Sequence, residues 1–182
     1  MPIEPGTYEL GPQDGSLSVN TARAGAASKA GHDLRIRVER WGATVQLAAD
    51  RAQSTLQLTA DSSSLQVLEG TGGIKSLTDD DRRGIAQTIT KEVLKGTEIS
   101  FRSTAVRPDA DGQYRVTGDL QLAGGVSLVA FDLAIGDDGE VTGSAAVKQT
   151  DWGIKPYSAL FGTLKVADEV RVSIDARLRA AG

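Results

Sequence analysis

The decapeptide Val-Arg-Val-Ser-Ile-Asp-Ala-Arg-Leu-Arg, residues 170–179, places an apolar residue at every even position and a polar residue at every odd position. Successive side chains of a strand point to opposite faces, whereas a helix repeats every 3.6 residues, so this pattern predicts a β-strand with one buried face. The segment 33–39, Asp-Leu-Arg-Ile-Arg-Val-Glu, alternates in the same way. The same spacing recurs at Leu17 and Val19, Val45 and Leu47, Leu56 and Leu58, Ile99 and Phe101, Leu120 and Leu122, and through Val129, Phe131, Leu133 and Ile135.

Short turn signals separate these alternating runs. Residues 109–112 read Asp-Ala-Asp-Gly and residues 136–139 read Gly-Asp-Asp-Gly, and each joins two alternating segments as a hairpin loop does. Glycine is abundant, at 21 of 182 residues, which favours a fold with many tight turns. We therefore predict one mainly β domain over residues 1–182, built as an antiparallel sandwich or barrel.

One segment, residues 79–95, departs from this pattern and predicts an amphipathic helix. Its apolar residues Ile85, Ile89 and Val93 lie four apart and therefore share one helical face. Thr78 precedes three aspartates, as an N-cap does, and Gly96 follows the segment, as helix ends favour. A second, short helix is predicted near residues 24–30, and the glycine-rich residues 70–73 are predicted to form a loop before the long helix.

Composition excludes several classes of function. The chain has no cysteine and one histidine, which excludes disulfides, thiolate metal sites and sites that need two imidazoles. A net charge of −4 argues against a nucleic-acid partner. The first residues carry neither a basic start nor an apolar run, so we expect a soluble, cytoplasmic chain that is not an integral membrane protein. We expect no metal and no cofactor, and a homodimer is one assembly the sequence allows.

Four short motifs suggest functional sites that their spacing or their position in the predicted fold disfavours. The stretch 70–76, Gly-Thr-Gly-Gly-Ile-Lys-Ser, lacks the glycine that a phosphate loop needs before its lysine. Residues 109–112 begin like a calcium loop, but Leu120 stands where the closing glutamate is needed. The aspartates at 79–81 are better explained by the start of a helix than by a metal. His32 and Asp33 are neighbours on a predicted strand and face opposite ways, which disfavours a catalytic pair.

The segment 149–170 is neither a clean helix nor a clean strand. Three of the eight aromatic residues, Trp152, Tyr157 and Phe161, lie within a span of ten residues in this segment. Such a segment either plugs one end of a barrel or forms a lid or portal beside a cavity, and the residues alone leave both alternatives open.

The same segment resembles the closing motif of the YceI-like family, the lipocalin-like proteins that bind lipids or polyisoprenoids. The motif is a Gln/Ser-Asp-aromatic-Gly-Ile-Lys-Pro run followed by the strand start Lys-Val-x-Asp-Glu-Val. Residues 6–10, 99–104 and 114–120 also resemble family strands in the expected order. The matching positions of the motif are Gln149, Asp151, Trp152, Gly153, Ile154, Lys155, Pro156, Lys165, Val166, Asp168, Glu169 and Val170.

The resemblance implies a soluble bacterial protein folded as a single antiparallel lipocalin-like β-barrel of about eight strands around an apolar cavity. It implies binding, storage or transport of a long apolar ligand, such as an isoprenoid quinone, a polyprenoid or another lipid, without catalysis. Family members are often exported. With the strand phases taken from the alternation, the predicted ligand-binding residues are His32, Leu34, Ile36, Phe101, Leu120, Phe131, Leu133, Trp152, Tyr157 and Phe161.

One region departs from the family pattern. Family members commonly carry an Arg-Asp-x-His-Leu stretch before a helical element, whereas residues 76–83 here contain no histidine. The one histidine instead lies in Gly31-His32-Asp33-Leu34, so the polar contacts of the cavity are expected to differ. Two other functions remain open: a small-molecule enzyme or stress-response factor that uses His32 with Asp33 or Asp151 at the barrel mouth, or a filled barrel that serves as an interaction module.

Overall fold

Antiparallel strands dominate the computed structural model, which describes residues 3–110, 112–159 and 164–179. The strands are β1 (Gly6–Leu10), β2 (Gly15–Thr21), β3 (Arg23–Ala24), β4 (His32–Val38), β5 (Trp41–Leu47), β6 (Thr55–Ala60), β7 (Leu65–Gly72), β8 (Ile99–Pro108), β9 (Gln113–Leu122), β10 (Gly125–Ile135), β11 (Glu140–Lys148), β12 (Ser158–Ala159), β13 (Leu164–Val166) and β14 (Glu169–Arg177). The helix α1 is Asp79–Thr88, and 3₁₀ turns cover Ser28–Ala30, Arg51–Gln53 and Gln149–Trp152.

Eleven of the strands in the described residues form one curled antiparallel sheet, a half-barrel, in the order β1-β5-β6-β8-β9-β10-β11-β14-β2-β4-β7. The predicted class, a mainly β antiparallel barrel-like fold with one helix, is confirmed. The predicted number of about eight strands is too low. In β14 the even residues from 170 to 178 are more buried than their odd neighbours at 171, 175, 177 and 179, as the alternation predicts.

Strand β11, which the alternating runs do not include, carries small residues on its inner face. In β11 the inward positions are Val141, Gly143, Ala145 and Val147. Two of these four are glycine or alanine, so the sequence does not show a clear alternation of large apolar and polar residues. A Cβ on Gly143 would lie 2.8 Å from Leu133 Cδ1 on the neighbouring strand. Glycine at this position therefore leaves room for an inward leucine, and the strand loses its sequence signal for a packing reason.

The helix begins where predicted and ends earlier. The Thr78 hydroxyl accepts from the backbone N–H of Asp81, and the Asp81 carboxylate accepts from the N–H of Thr78, which is a capping box. The α-helical part ends at Thr88, and residues Ile89–Val93 continue as one π-helical turn, with the Leu94 N–H donating to Ile89 O over 2.8 Å. The Thr90 hydroxyl donates to Ser62 O, which fixes the end of this turn to the loop before β7.

Two smaller predictions need correction. The short helix expected over residues 24–30 is only the 3₁₀ turn Ser28–Ala30, because residues 23–24 pair with β13 as strand β3. The glycine-rich residues 70–72 are not a loop but the end of β7, paired with β4 from Gly70↔Leu34 to Gly72↔His32. Among the described residues, no helix is long and apolar enough to cross a membrane.

An exposed ion pair closes the turn between β6 and β7 and gives a test of acid stability. The Ser63 hydroxyl and N–H donate to the Asp61 carboxylate, as does the Arg40 guanidinium, and these contacts lower the pKa of Asp61 from 3.8 to about 2. Because the pKa is lower in the folded state, this stabilisation is present above pH 3.8 and is lost as the pH falls towards 2.

We expect Asp61→Asn to reduce the slope of the free energy of unfolding between about pH 4 and pH 2. The measurement is urea unfolding at a series of pH values. The control is Asp137→Asn, whose carboxylate accepts no hydrogen bond from the described residues in the β10–β11 turn. An unchanged slope in Asp61→Asn would contradict the assignment.

Candidate functional site

A cavity of about 800 Å³ lies between the inner face of the sheet and the helix α1. Its wall is made almost entirely of aliphatic side chains from the inward positions of the strands. The volume is in the range of small-molecule sites in proteins, about 300–1,000 Å³. The sheet is therefore hollow on its concave side, and the filled-barrel alternative does not describe it.

Eight of the ten predicted ligand-binding residues lie in the wall of this cavity, seven of them on strands β4, β8, β9 and β10. Trp152 is buried but is not among the lining residues, and Phe161 lies outside the described residues. The eight are His32, Leu34, Ile36, Phe101, Leu120, Phe131, Leu133 and Tyr157.

Two of these residues form an aromatic pair in the wall. The rings of Phe101 and Phe131 lie with their centroids 5.5 Å apart at an angle of 59°, a tilted arrangement that aromatic pairs favour. A Cβ on Gly118 would lie 2.6 Å from the ring of Phe101, so the glycine of β9 leaves space for this ring. The pair is thus held by the strands beneath it and gives the cavity a rigid apolar surface.

Two groups of lining residues were not included in the predicted site. The first is Val170, Val172 and Ile174, the inward side of the very strand whose alternation predicts the fold. The second is Ile85, Ile89 and Val93, the apolar face of the helical segment. Both groups could have been predicted from the sequence, because the apolar face of a strand and the apolar face of a helix in one domain pack against the same interior.

The mouth of the cavity is polar. The lining includes the exposed residues Asp80, Asp81, Tyr157 and Lys165, so the cavity reaches the surface there. The exposed fraction of Tyr157 is 47%. The interior is therefore apolar along its length and meets water at an edge formed by α1, β13 and the segment before β12.

Arg23 is fixed at this mouth by three contacts. Its backbone N–H donates to Asp33 Oδ1 over 2.8 Å, its Nη1 donates to Gly31 O over 2.9 Å, and its Nε lies 3.8 Å from Asp33 Oδ1. A Cβ on Gly72 would collide with the guanidinium, and Gly72 has a φ of 80°. The glycine at the end of β7 is therefore needed both for its backbone conformation and for the arginine that packs on it.

His32 packs beside Arg23 in the same way. A Cβ on Gly73, where φ is 74°, would collide with the imidazole ring. The ring Nε2 lies 2.7 Å from Lys75 O. Because a carbonyl oxygen only accepts, the His32 Nε2 carries a proton and donates it to Lys75 O. The glycine-rich stretch that resembles a phosphate loop is thus the surface against which the Arg23 and His32 side chains pack at the cavity mouth.

No carboxylate orients the His32 ring among the described residues. The Asp33 carboxylate bonds Arg23 rather than the imidazole, and no carboxylate is hydrogen-bonded to His32. The backbone N–H of Thr78 holds the pKa of Asp81 below its ordinary value, with smaller contributions from the Thr78 hydroxyl and from His32. In the same described part of the chain, no three His, Asp or Glu side chains form a metal-binding group.

The closing motif, residues 149–170, positions strands of the cavity wall through hydrogen bonds, although its Trp152 side chain does not line the cavity. The Trp152 Nε1–H donates to Leu120 O over 2.7 Å, and Gly153 ends the 3₁₀ turn with a φ of 72°. The Thr150 hydroxyl donates to Asp168 over 2.6 Å and holds the pKa of that carboxyl below its usual value. The Gln149 side chain donates to Ala167 O. The motif therefore joins the end of β11 to the start of β14 and to β9.

A half-barrel of antiparallel strands with an apolar interior and a polar mouth is the architecture of lipocalin-like binding proteins. A model of the YceI-like domain matches residues 8–178, and the chain belongs to this family. The recognition made from the closing motif is thus confirmed. No curated protein sequence matches the chain significantly.

Solved structures share the fold at low sequence identity. The crystal structure of Burkholderia cenocepacia BcnA matches with a TM-score of 0.68 and 19% identity, over 92% of this chain and 96% of that chain. The Campylobacter jejuni YCEI protein matches with a TM-score of 0.57 and 14% identity, over 80% of this chain and 85% of that chain. At these identities the likeness shows the fold alone.

Proposed function

We propose that the chain binds, stores or transports a long apolar molecule, an isoprenoid quinone, a polyprenoid or another lipid, in the cavity under α1, and that it is not an enzyme. The observation that carries the proposal is the 800 Å³ cavity with its aliphatic wall. A side chain that faces a cavity lacks van der Waals partners on that side. An apolar ligand supplies these partners, and its own transfer out of water is favourable. Membership of a family of binding proteins supports the same function.

The polar groups of the wall orient such a ligand. Arg23, His32 and Lys165 lie at the mouth, and the Thr21 hydroxyl in the wall nearby is buried without a hydrogen-bond partner among the described residues. Buried polar atoms of this kind are normally satisfied, so a hydroxyl or carbonyl group of the ligand would stabilise the complex there. We therefore place the polar end of the ligand at the mouth and its chain along β8–β11 and β14.

Ligand binding should raise the melting temperature. A ligand present at 100 times its Kd adds about 2.7 kcal/mol to the free energy of unfolding. For a chain of this length that corresponds to a shift of roughly 5–10 °C. The measurement is calorimetry with a polyprenol, an isoprenoid quinone and a C18 fatty acid in turn, combined with native mass spectrometry and organic extraction of protein purified from its own cells.

The expected result is a one-to-one mass increment and a higher melting temperature for at least one of these probes. A protein that stays free of extractable lipid, and whose melting temperature none of the three changes, would overturn the proposal. The enzyme alternative makes a separate prediction, an activity on a small molecule that is lost in His32→Ala.

A further inference from the structure

Two exposed apolar side chains lie on the rim of the cavity mouth. Ile74 is 82% exposed and follows Gly73, against which the His32 ring packs. Tyr157 is 47% exposed and lines the cavity. Ile74 precedes Lys75, whose carbonyl accepts from His32, so it lies at the mouth and not on a remote surface.

A continuous set of contacts joins these two residues around the mouth. The Val166 N–H donates to Tyr157 O over 3.0 Å, and Val166 pairs with Arg23 across β13 and β3. The Arg23 guanidinium packs on Gly72, two residues before Ile74. The rim is therefore one surface, formed by the loop after β7 on one side and the segment before β12 on the other.

Lysines surround this rim. Lys75 follows Ile74, Lys155 precedes Tyr157 by two residues, and Lys165 lies in β13. Lys29 is in the 3₁₀ turn whose last residue, Ala30, lines the cavity. All four are exposed, and none forms a salt bridge with a described carboxylate.

The carboxylates of the same rim are engaged by their neighbours. Asp33 pairs with Arg23, and Asp80 pairs with Arg83 one turn further along α1. Asp81 accepts the Thr78 N–H in the capping box. Asp81 has no cationic partner among the described residues, but four lysines outweigh it, so the charge at the mouth that no ion pair compensates is positive, although the whole chain has a net charge of −4. A local patch that opposes the net charge favours an anionic partner at this point.

We propose that the rim of Ile74, Tyr157 and the four lysines docks the cavity mouth on an anionic lipid bilayer. The apolar side chains enter the interface and the lysines meet the lipid phosphates, each contributing about fivefold to the affinity, as basic residues near an anionic membrane do. Docking there lets an apolar cargo pass between bilayer and cavity without crossing water. The transfer of a ligand through this surface rests on the proposed function, whereas membrane docking itself can be measured with the ligand-free chain.

The test is co-flotation of the full chain with vesicles of phosphatidylcholine alone or with 30 mol% phosphatidylglycerol. We expect binding only to the anionic vesicles, with an affinity that falls as salt is raised from about 0.05 to 0.5 M. The double variant Lys75→Ala with Lys165→Ala should bind about 25-fold more weakly, and Ile74→Asp should also weaken binding.

Matched controls lie elsewhere on the surface. Val126 and Leu128 are 64% and 62% exposed on the outer face of β10, and Lys91 lies in the π-helical turn beyond α1. Leu128→Asp and Lys91→Ala should bind vesicles as the parent does. Equal binding by rim variants and controls would overturn the proposal, as would a dimer that Ile74→Asp dissociates, because a second copy would then cover the rim.

Polyprenol loading from a cyclodextrin carrier, followed by native mass spectrometry, separates this inference from the proposed function. Loading of the parent chain without vesicle binding would refute only the docking. Vesicle binding without polyprenol loading would refute only the proposed binding of an apolar ligand.

Discussion

Trp152→Ala is expected to lower the free energy of unfolding by about 3–5 kcal/mol, the usual cost of truncating a buried aromatic residue. The side chain is 7% exposed, and its indole N–H bonds Leu120 O at 2.7 Å. Truncation leaves a cavity between the 3₁₀ turn and β9 and removes the partner of a carbonyl. Chemical denaturation measures the loss.

Trp152→Phe separates packing from hydrogen bonding. It keeps one aromatic ring but removes the N–H donor and part of the buried ring volume, so we expect a loss of about 1–3 kcal/mol, smaller than that of Trp152→Ala. Because Trp152 is not among the lining residues of the cavity, polyprenol loading of Trp152→Phe should equal that of the parent at a temperature where both are folded. Weaker loading without loss of stability would place the indole in the binding site instead.

The fate of Trp152 shows where sequence reasoning about the site ends. Aromatic residues clustered in an irregular segment are compatible with a lid, a plug or a wall, because composition does not say which side of the segment faces the interior. In the fold, Gly153 turns the chain with a positive φ, and the Trp152 carbonyl approaches Gly125 so closely that a Cβ there would lie 3.0 Å away. The indole is thereby directed into the core.

Strand faces, in contrast, were predictable. A period of two assigns side chains to faces once one buried residue is known, and Ile36 at 2% exposure agrees with that assignment. The alternation fails where an inward position carries glycine or alanine, as in β11, or where a bulge shifts the register, as between Arg35 and Ile36 opposite β7.

The mouth could not be predicted, because it depends on pairings between distant segments. Arg23 and His32 meet Gly72 and Gly73 only through the β4–β7 pairing, forty residues apart in the chain. Read alone, the glycines indicate flexibility. In the fold they are positions where a side chain from another strand occupies the space of a Cβ.

Ala145→Phe tests whether the interior is a binding cavity. Ala145 lies on the inner face of β11 and lines the cavity, and its register partner Val172 lines it too. In a closely packed core the added ring would cost about 1–3 kcal/mol. In a hollow half-barrel the ring finds space and apolar partners, so we expect a gain of about 0.5–2 kcal/mol in the free energy of unfolding of the ligand-free chain.

The same substitution should oppose ligand binding, because the ring occupies volume that the apolar chain of the ligand needs. We expect higher stability together with loss of polyprenol loading, a combination that damage to the fold does not produce. Ala146→Phe is the matched control, since Ala146 is the next residue of the same strand and is exposed on the outer face. Loading should be unchanged there. If Ala145→Phe destabilised the chain while loading persisted, the ligand would have to bind somewhere other than this cavity.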